Sequence, residues 1–563
     1  MRLDPETLDP ALPAWLRRVR AARVDAPQDL ELGMAALPEP DSLRGIDAAA
    51  TLLERALALG QRILVVGDFD ADGATSTALA VLALRACGAT AVDFLVPNRF
   101  EYGYGLTPEI VALAAARRPD LLLTVDNGIS SLAGVEAARA AGIRVLITDH
   151  HLPGRTLPAA DAIVNPHQPG CGFPSRALAG VGVMFYVLAA LRARLRRSGW
   201  FAARGIAEPA LADWLDLVAL GTVADVVPLD RVNRILVHQG LLRIRAGRAR
   251  AGLLALFALA NRDHRRAVAA DLGFAAGPRL NAAGRLDDMS LGIRCLLAED
   301  PAEAHGLAVQ LDELNRDRRL LEEQMRREAE AQLAALEFAA DPPWGLCLYD
   351  PTWHQGIVGL VAGRVRERLH RPAIAFAAAG GGELKGSARS VPGLHIRDAL
   401  DLVAARNPGL LGRFGGHAAA AGLTLEAGAL ETFATAFDAV VRELLAPEDL
   451  ELALLHDGAL PAAALTLDSA RLLRDAGPWG QHFPEPCFLG EFQVLDARVV
   501  GATHLRLRLV AEGGAEPLDA IAFNALEEGA APTRSSTIRI LYRLDVNHFR
   551  GTERLQLVVE RLL

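Results

Sequence analysis

Asp149-His150-His151 closes an apolar run at residues 144–149, and two adjacent histidines behind an aspartate at such a place are hard to explain as core. Imidazole together with carboxylates suits Mn2+ or a similar divalent ion. Three other apolar runs also stop at an acid: 62–68 at Asp68, 121–126 at Asp126 and 217–225 at Asp225. A buried strand ending in Asp or His offers a hard ligand at the rim of a sheet. The first run leads into Gly67-Asp68-Phe69-Asp70-Ala71-Asp72-Gly73. If that segment is extended, Asp68, Asp70 and Asp72 share a face. A helix starting after Gly73, at Thr75-Ser76, would favour anions at its N-terminus. Asp225 lies in a very apolar stretch, where a charge needs a partner and a metal is the simplest one. Two divalent ions about 3.5–4 Å apart activate a water and stabilise in-line displacement at phosphorus. The chain supplies residues for each part of that arrangement.

Plainer readings exist for single residues. Asp126, followed by Asn127-Gly128, fits a cap for the next helix. The 68–73 spacing partly matches the start of a calcium loop, but the rest of that loop is missing. There is no convincing GxGxxG after the first strand and no Walker A motif. The set favours a metal-dependent phosphoesterase over a nucleotide-cofactor enzyme.

The elements that must position these residues alternate in type. From Arg62 onward, strands and helices follow one another at the spacing of a doubly wound parallel sheet, with acids at the carboxyl ends where ligands bind. The expected fold is multidomain α/β. Residues 1–45 form an N-terminal extension with a short helix, and 46–260 the sheet domain. A helical connector spans 261–340, with a long charged helix from about 300 to 336. A smaller α/β domain covers 341–445. The last segment, 455–563, alternates apolar and polar residues at period two, as in Leu505-Arg506-Leu507-Arg508-Leu509, and reads as an antiparallel OB-like β-barrel.

Composition agrees with this scale. The 563 residues suggest about three or four domains, and 51% hydrophobic content excludes a disordered chain. The 5 cysteines are scattered without a CxxC pair, which argues against a zinc ribbon or disulfide framework and for a reducing cytoplasm. No apolar run is long enough to span a membrane, and the N-terminus lacks a signal-peptide core. A net charge of -9 argues against a wholly basic surface but permits a narrow basic channel. Lys385 is the only lysine, beside Gly386-Ser387-Ala388-Arg389.

Read in order, 67–73, Asp126-Asn127-Gly128, the triplet at 149–151 and Ala224-Asp225 resemble the successive metal motifs of the DHH phosphoesterase superfamily. Within it the chain resembles the RecJ branch of single-strand-specific 5′→3′ exonucleases. Arg99-Phe100-Glu101-Tyr102-Gly103-Tyr104-Gly105-Leu106 and Pro278-Arg279-Leu280-Asn281-Ala282-Ala283-Gly284-Arg285 fit that branch. So do Trp353-His354-Gln355-Gly356, Lys385-Gly386-Ser387-Ala388-Arg389 and Gly415-Gly416-His417 in the second domain. Some DHH subfamilies place a histidine four residues before Asp70. Here that position is Val66, so the first metal would need another ligand or a water.

The resemblance implies specific roles. Asp70, Asp72, Asp126, His150 and Asp225 bind two divalent ions, Mn2+ or Mg2+, with Asp126 and Asp225 bridging. His151 lies near the scissile phosphate, and Asp149 supports the histidines. Arg99, Ser387 and Arg389 hold phosphates, the 5′-terminal one included. Arg279, Arg285 and Lys385 contact the strand. Gly415 and Gly416 let the backbone approach it, and His417 reaches toward it. The implied reaction is stepwise release of 5′-mononucleotides from single-stranded DNA in the cytoplasm, in DNA repair and recombination. The implied partners are a single-stranded DNA-binding protein and a helicase. Two alternatives are a DHH phosphodiesterase for short RNA or dinucleotides, and a non-catalytic replication scaffold of the same fold. The first lacks the barrel and the second loses metal ligands. Without the resemblance, 415–417 reads as a tight turn with a surface histidine, Gly386-Ser387 as a turn, and Arg279 and Arg285 as solvated helix charges.

Overall fold

The computed structural model describes residues 3–97, 102, 105–337, 343–501, 503–525, 533–549 and 551–563, with the side chains of 334–337 and 549 excepted. The chain divides into two compact units. One comprises Met1–Gly284, Asp288–Leu311 and Leu455–Leu563, and the other Arg285–Asp287 and Asp312–Leu454.

The first unit is built on five parallel strands: β1 (Ile63–Gly67), β2 (Val92–Leu95), β3 (Leu121–Val125), β4 (Arg144–Thr148) and β5 (Ala162–Val164), in the order β2-β1-β3-β4-β5. Strands β1 and β3 are buried along their whole length, which is why they read as continuous apolar runs. Their register decides where the chemistry falls. Gly67 pairs with Val125, and Val125 with Thr148. Asp68, Asp126 and Asp149 therefore leave three adjacent strands at the same level. Strand order changes direction beside β1, with β2 on one side and β3 on the other, so this level lies at the topological switch point, where doubly wound sheets bind ligands.

Two expectations about local structure are corrected. The run 217–225 is not a strand. It belongs to the helix Leu215–Ala224, buried over most of its surface, and Asp225 is its C-terminal cap residue. An unbroken apolar run has no period that separates a buried strand from a buried helix. Nor do Asp68, Asp70 and Asp72 share one face of an extended segment. Strand β1 ends at Gly67, and the helix Ala71–Ala86 begins before Gly73, with Asp70 as its N-cap and Asp72 in its first turn.

The second unit carries a mixed sheet of β6 (Leu346–Tyr349), β7 (Ala373–Gly380), β8 (Glu383–Arg389), β9 (Phe414–Gly416) and β10 (Ala420–Glu426), in the order β6-β7-β8-β10-β9. The helix Val358–Leu369 sets Val358, Val361, Ala362 and Val365 against Ala373, Ala375 and Ala377 of β7. The long charged segment is one helix, Pro301–Glu337.

The C-terminal part of the first unit closes as a barrel of β11 (Phe488–Val500), β12 (His504–Ala511), β13 (Leu518–Ala522), β14 (Thr537–Phe549) and β15 (Thr552–Leu562). Leu505, Leu507 and Leu509 point into its core. The barrel is not wholly antiparallel, because β13 and β15 pair in parallel. The N-terminal helix Ala14–Ala21 adds Trp15, Leu16 and Val19 to the barrel core, and Arg23 clasps Asp457 with two bonds of 2.6 and 2.8 Å.

Close helix packing sets the place of Asp225. A Cβ on Gly240, in the helix Arg231–Arg245, would strike Leu215 O and Ala219 Cβ of the helix that ends at Asp225. Overpacking of this kind costs about 1–3 kcal/mol. Gly240→Ala is expected to lower unfolding stability by that amount in a urea titration. An unchanged midpoint would contradict the tight approach.

Candidate metal centre

Each acid at the rim is held by a different local device. Asp126 has φ of 62°, in the left-handed region that costs a non-glycine residue about 1–3 kcal/mol. The surroundings enforce it: its N–H donates to Thr148 O at 3.0 Å, Thr124 Oγ1 donates to Asn127 O at 2.8 Å, and Asn127 Nδ2 donates to Val66 O at 3.1 Å. Asp126 does not cap the next helix, Leu132–Ala140, whose N-cap is Ser131. Val226, directly after Asp225, is also left-handed, with φ of 61°. Strain of this kind therefore flanks or occupies both positions expected to bridge.

Asp72 is buried, and its two carboxylate oxygens accept N–H groups of Gly180 (2.6 Å) and Val181 (3.0 Å) at the start of the helix Gly180–Arg197. Two glycines make the approach possible. A Cβ on Gly180 would lie 2.6 Å from Asp126 Cβ, and one on Gly221 would lie 2.7 Å from Asp72 Oδ1. Sequence reasoning missed both. Gly221 shows only as a small residue interrupting a bulky apolar helix, and Gly180 only as a glycine opening one.

His150 joins the set. Its Nε2 lies 3.1 Å from Asp126 Oδ1, 3.4 Å from Asp225 Oδ2 and 4.0 Å from Asp72 Oδ2. Donor atoms of Asp72, His150 and Asp225 fall within 4.8 Å of one another, as do those of Asp126, His150 and His151, and those of Asp68, Asp70 and Asp126. The last group brings in Asp68, the acid that ends the first apolar run, which the resemblance left out of the ligand set. Val66 is fully buried in the core on β1, and Asp68, two residues on, is the extra acid beside Asp70.

Asp149 is used differently. Its carboxylate accepts from His150 N (2.7 Å), His151 N (3.0 Å), His151 Nδ1 (2.7 Å) and Ile129 N (2.9 Å). These bonds occupy both oxygens, so Asp149 orients the two histidines.

The electrostatics match a cation site. Burial, with Asp70 nearby, pushes the Asp72 carboxyl up to about 7. Burial and the neighbouring Asp72, Asp70 and Asp68 drive Asp126 and Asp225 well above the usual carboxylate range. Burial alone would raise Asp149, but the hydrogen bond and charge of His151 carry it below that range. Burial opposes charge on His151, yet the bond from Asp149 and its charge lift the imidazole to about 9. Asp225 Oδ2 is buried and makes no hydrogen bond among the described residues. Carboxylate oxygens and imidazole nitrogen, buried and mutually repelling, are the donor set of a hard or borderline divalent ion.

The remaining site residues fall in several places. Arg279, in the first unit on the helix Gly277–Leu286, is buried and donates through Nη1 to Ala275 O at 2.7 Å, so it is not a solvated charge. Arg285, in the second unit, donates to Gly356 O at 2.9 Å. Lys385, Ser387 and Arg389 alternate along β8 and share one face, so Gly386-Ser387 is strand rather than turn. Arg389 Nη1 donates to Ser387 Oγ at 3.0 Å. A Cβ on Gly359 would sit 2.8 Å from Arg389 Nη2 and 2.9 Å from Ser387 Oγ, so only a glycine lets the helix pack this closely on the pair. Burial, with the nearby Arg366 cation, holds the Arg389 guanidinium below its ordinary value. Gly415 and Gly416 end β9, with φ of 149° at Gly416. His417 is exposed in the turn that follows, its N–H donating to Ala420 O at 2.8 Å. Arg99 lies outside the described residues.

Comparison with known proteins identifies the family. Residues 62–222 match the DHH family, N-terminal domain, 344–443 the DHHA1 domain, and 456–561 the RecJ OB domain. The chain is 55% identical over 557 residues to the single-stranded-DNA-specific exonuclease RecJ of Dickeya dadantii, across 99% of this chain and 97% of that relative. The chain belongs to the RecJ family. The crystal structure of Thermus thermophilus RecJ in complex with Mn2+ aligns with a TM-score of 0.80 at 32% identity, over 98% of this chain and 76% of that one. The complex of the same RecJ with Mg2+ aligns with a TM-score of 0.72 at 31% identity, over 98% and 74%.

The raised carboxyls make stability depend on pH. Asp72, at about 7 when folded against an ordinary value of about 4, binds more protons folded than unfolded between those limits. Its contribution is full below about pH 4 and is lost as pH rises through about 7. Asp126 and Asp225, shifted the same way, extend the loss upward. In chelator, the thermal midpoint is expected to fall from about pH 5 to about pH 8. Mn2+ should raise it more at about pH 8 than at about pH 6. Differential scanning fluorimetry checks this, and a midpoint indifferent to both pH and Mn2+ would contradict it.

Proposed function

We infer that this protein hydrolyses single-stranded DNA from its 5′ end and releases 5′-mononucleotides, as an exonuclease of DNA repair and recombination. The observation that carries the reading is the approach of His150 Nε2 to Asp126 and Asp225, at 3.1 and 3.4 Å, on the rim of the doubly wound sheet. The matches to the DHH, DHHA1 and RecJ OB domains support it. Asp70, Asp72, Asp126, His150 and Asp225, with Asp68 in addition, would hold two divalent ions, Mn2+ or Mg2+. Bound there, such ions supply the positive charge that acidifies a water and stabilises the leaving oxygen. The metal complexes of the Thermus RecJ support this assignment.

The chain's own groups do the rest. Asp149 holds the Nδ1 side of His151 and keeps the ring protonated, so Nε2 presents a proton to a phosphate oxygen. Within the second unit, Ser387 and Arg389 would offer a hydroxyl and a guanidinium to a phosphate, and Arg99, Arg279, Arg285, Lys385, Gly415, Gly416 and His417 are the further strand contacts proposed. The barrel adds backbone and stacking contacts. The chain divides, on this reading, into an extension (1–45), the DHH domain (46–260), a connector (261–340), the DHH-associated domain (341–445) and the barrel (455–563). No helix among the described residues is long and apolar enough to cross a membrane. The cytoplasm is the proposed location, and a helicase and a single-stranded DNA-binding protein are the proposed partners.

The test uses single- and double-stranded DNA labelled at either end, with Mn2+. The expected result is loss of the 5′ label as mononucleotide from single strands, with more than about a hundredfold less activity in Asp126→Ala. Digestion from the 3′ end, or an unimpaired Asp126→Ala, would overturn the reading.

A further inference from the structure

We propose that Asn281 is a positioning residue of the metal centre: it takes the Ala71 N–H, so that Asp70 keeps a carboxylate oxygen turned toward a cation. The proposal rests on the two-metal reading above.

The first amides of a helix have no partner within it. In the helix Ala71–Ala86, Asp70 Oδ1 accepts two of them, from Asp72 N at 2.9 Å and Gly73 N at 3.0 Å. The N–H of Ala71 donates instead to Asn281 Oδ1 at 2.7 Å. Both capping bonds of Asp70 fall on Oδ1, and the remaining amide is met from outside the loop. Asp70 Oδ2 is therefore left out of the capping scheme and free to serve as a ligand.

The contact is built rather than incidental. Asn281 lies on the helix Gly277–Leu286, whose Gly284 has no room for a Cβ because Phe69 O occupies that place. Asn281 and Gly284, nearly one turn apart, dock this helix on the loop that carries Asp68, Asp70 and Asp72. Ala71 is only 1% exposed, so solvent cannot replace the amide's acceptor. Asp68 Oδ1 is already engaged by Phe69 N at 2.7 Å. Without Asn281, Asp70 Oδ2 becomes the replacement acceptor, since a buried unpaired N–H is costly. A neutral amide also suits the site, because it accepts a hydrogen bond without adding another negative charge beside Asp68 and Asp70.

Isothermal titration of the full-length chain with Mn2+ tests this, with circular dichroism to check folding. Asn281→Ala is expected to weaken Mn2+ binding about tenfold or more, the scale of outer-shell ligand support. Asn281→Asp keeps the acceptor oxygen and is expected to bind within about threefold of wild type, or more tightly. Asp126→Ala is the control and should lose Mn2+ binding. An alanine variant that binds Mn2+ like wild type would overturn the proposal, as would alanine and aspartate variants that are equally weak. If the alanine variant does not fold, the aspartate variant decides alone: near-normal binding supports the proposal, and weak binding overturns it. Unchanged binding in Asp126→Ala would remove the metal reading itself, whereas loss there with normal Asn281→Ala would remove only the role of Asn281.

Discussion

Asp68, Asp72, Asp126 and Asp149 are buried together at one rim of a sheet, with Asp225 beside them. Like charges in such a place repel unless protons or a cation neutralise them. Much of the first unit is arranged around that constraint. The helix Gly180–Arg197 presents its N-terminal amides to Asp72, His151 neutralises Asp149, and His150 faces Asp126 and Asp225. Burial and the neighbouring acids nevertheless hold Asp126 and Asp225 well above the usual carboxylate range. The unbalanced negative charge is what makes the rim a site for divalent ions.

The strain of this arrangement is visible in the backbone. Asp126 and Val226 adopt left-handed conformations, and Val226 is β-branched, which makes its φ a strong outlier. Gly180, Gly221 and Gly240 remove side chains where helices must close on the acids or on one another. Stability is lost in these turns and close contacts to hold donor atoms within a few ångströms, as preorganised sites require.

The sequence showed much of this, unevenly. Strands β1, β3 and β4 were legible because each is a short apolar run ending at an acid, and parallel register then sets those acids side by side. The barrel was legible from its period-two alternation, although not the parallel pairing of β13 with β15. The helix Leu215–Ala224 was not legible, because burial on all sides erases the periodicity that separates helix from strand. The geometry of Asp68, Asp70 and Asp72 was misread because an N-cap turn replaces extended chain there. Asn281 and the glycines that admit the helices were hidden for a different reason: their role depends on contacts across long sequence separations, such as Asn281 to Ala71.

The account stands or falls on cations at the rim. Anomalous X-ray scattering at the manganese edge, from crystals grown with Mn2+, would locate them directly. The account predicts two peaks among Asp68, Asp70, Asp72, Asp126, His150 and Asp225, with none bonded to Asp149. Absence of manganese from this rim, or its binding elsewhere in the chain, would contradict it.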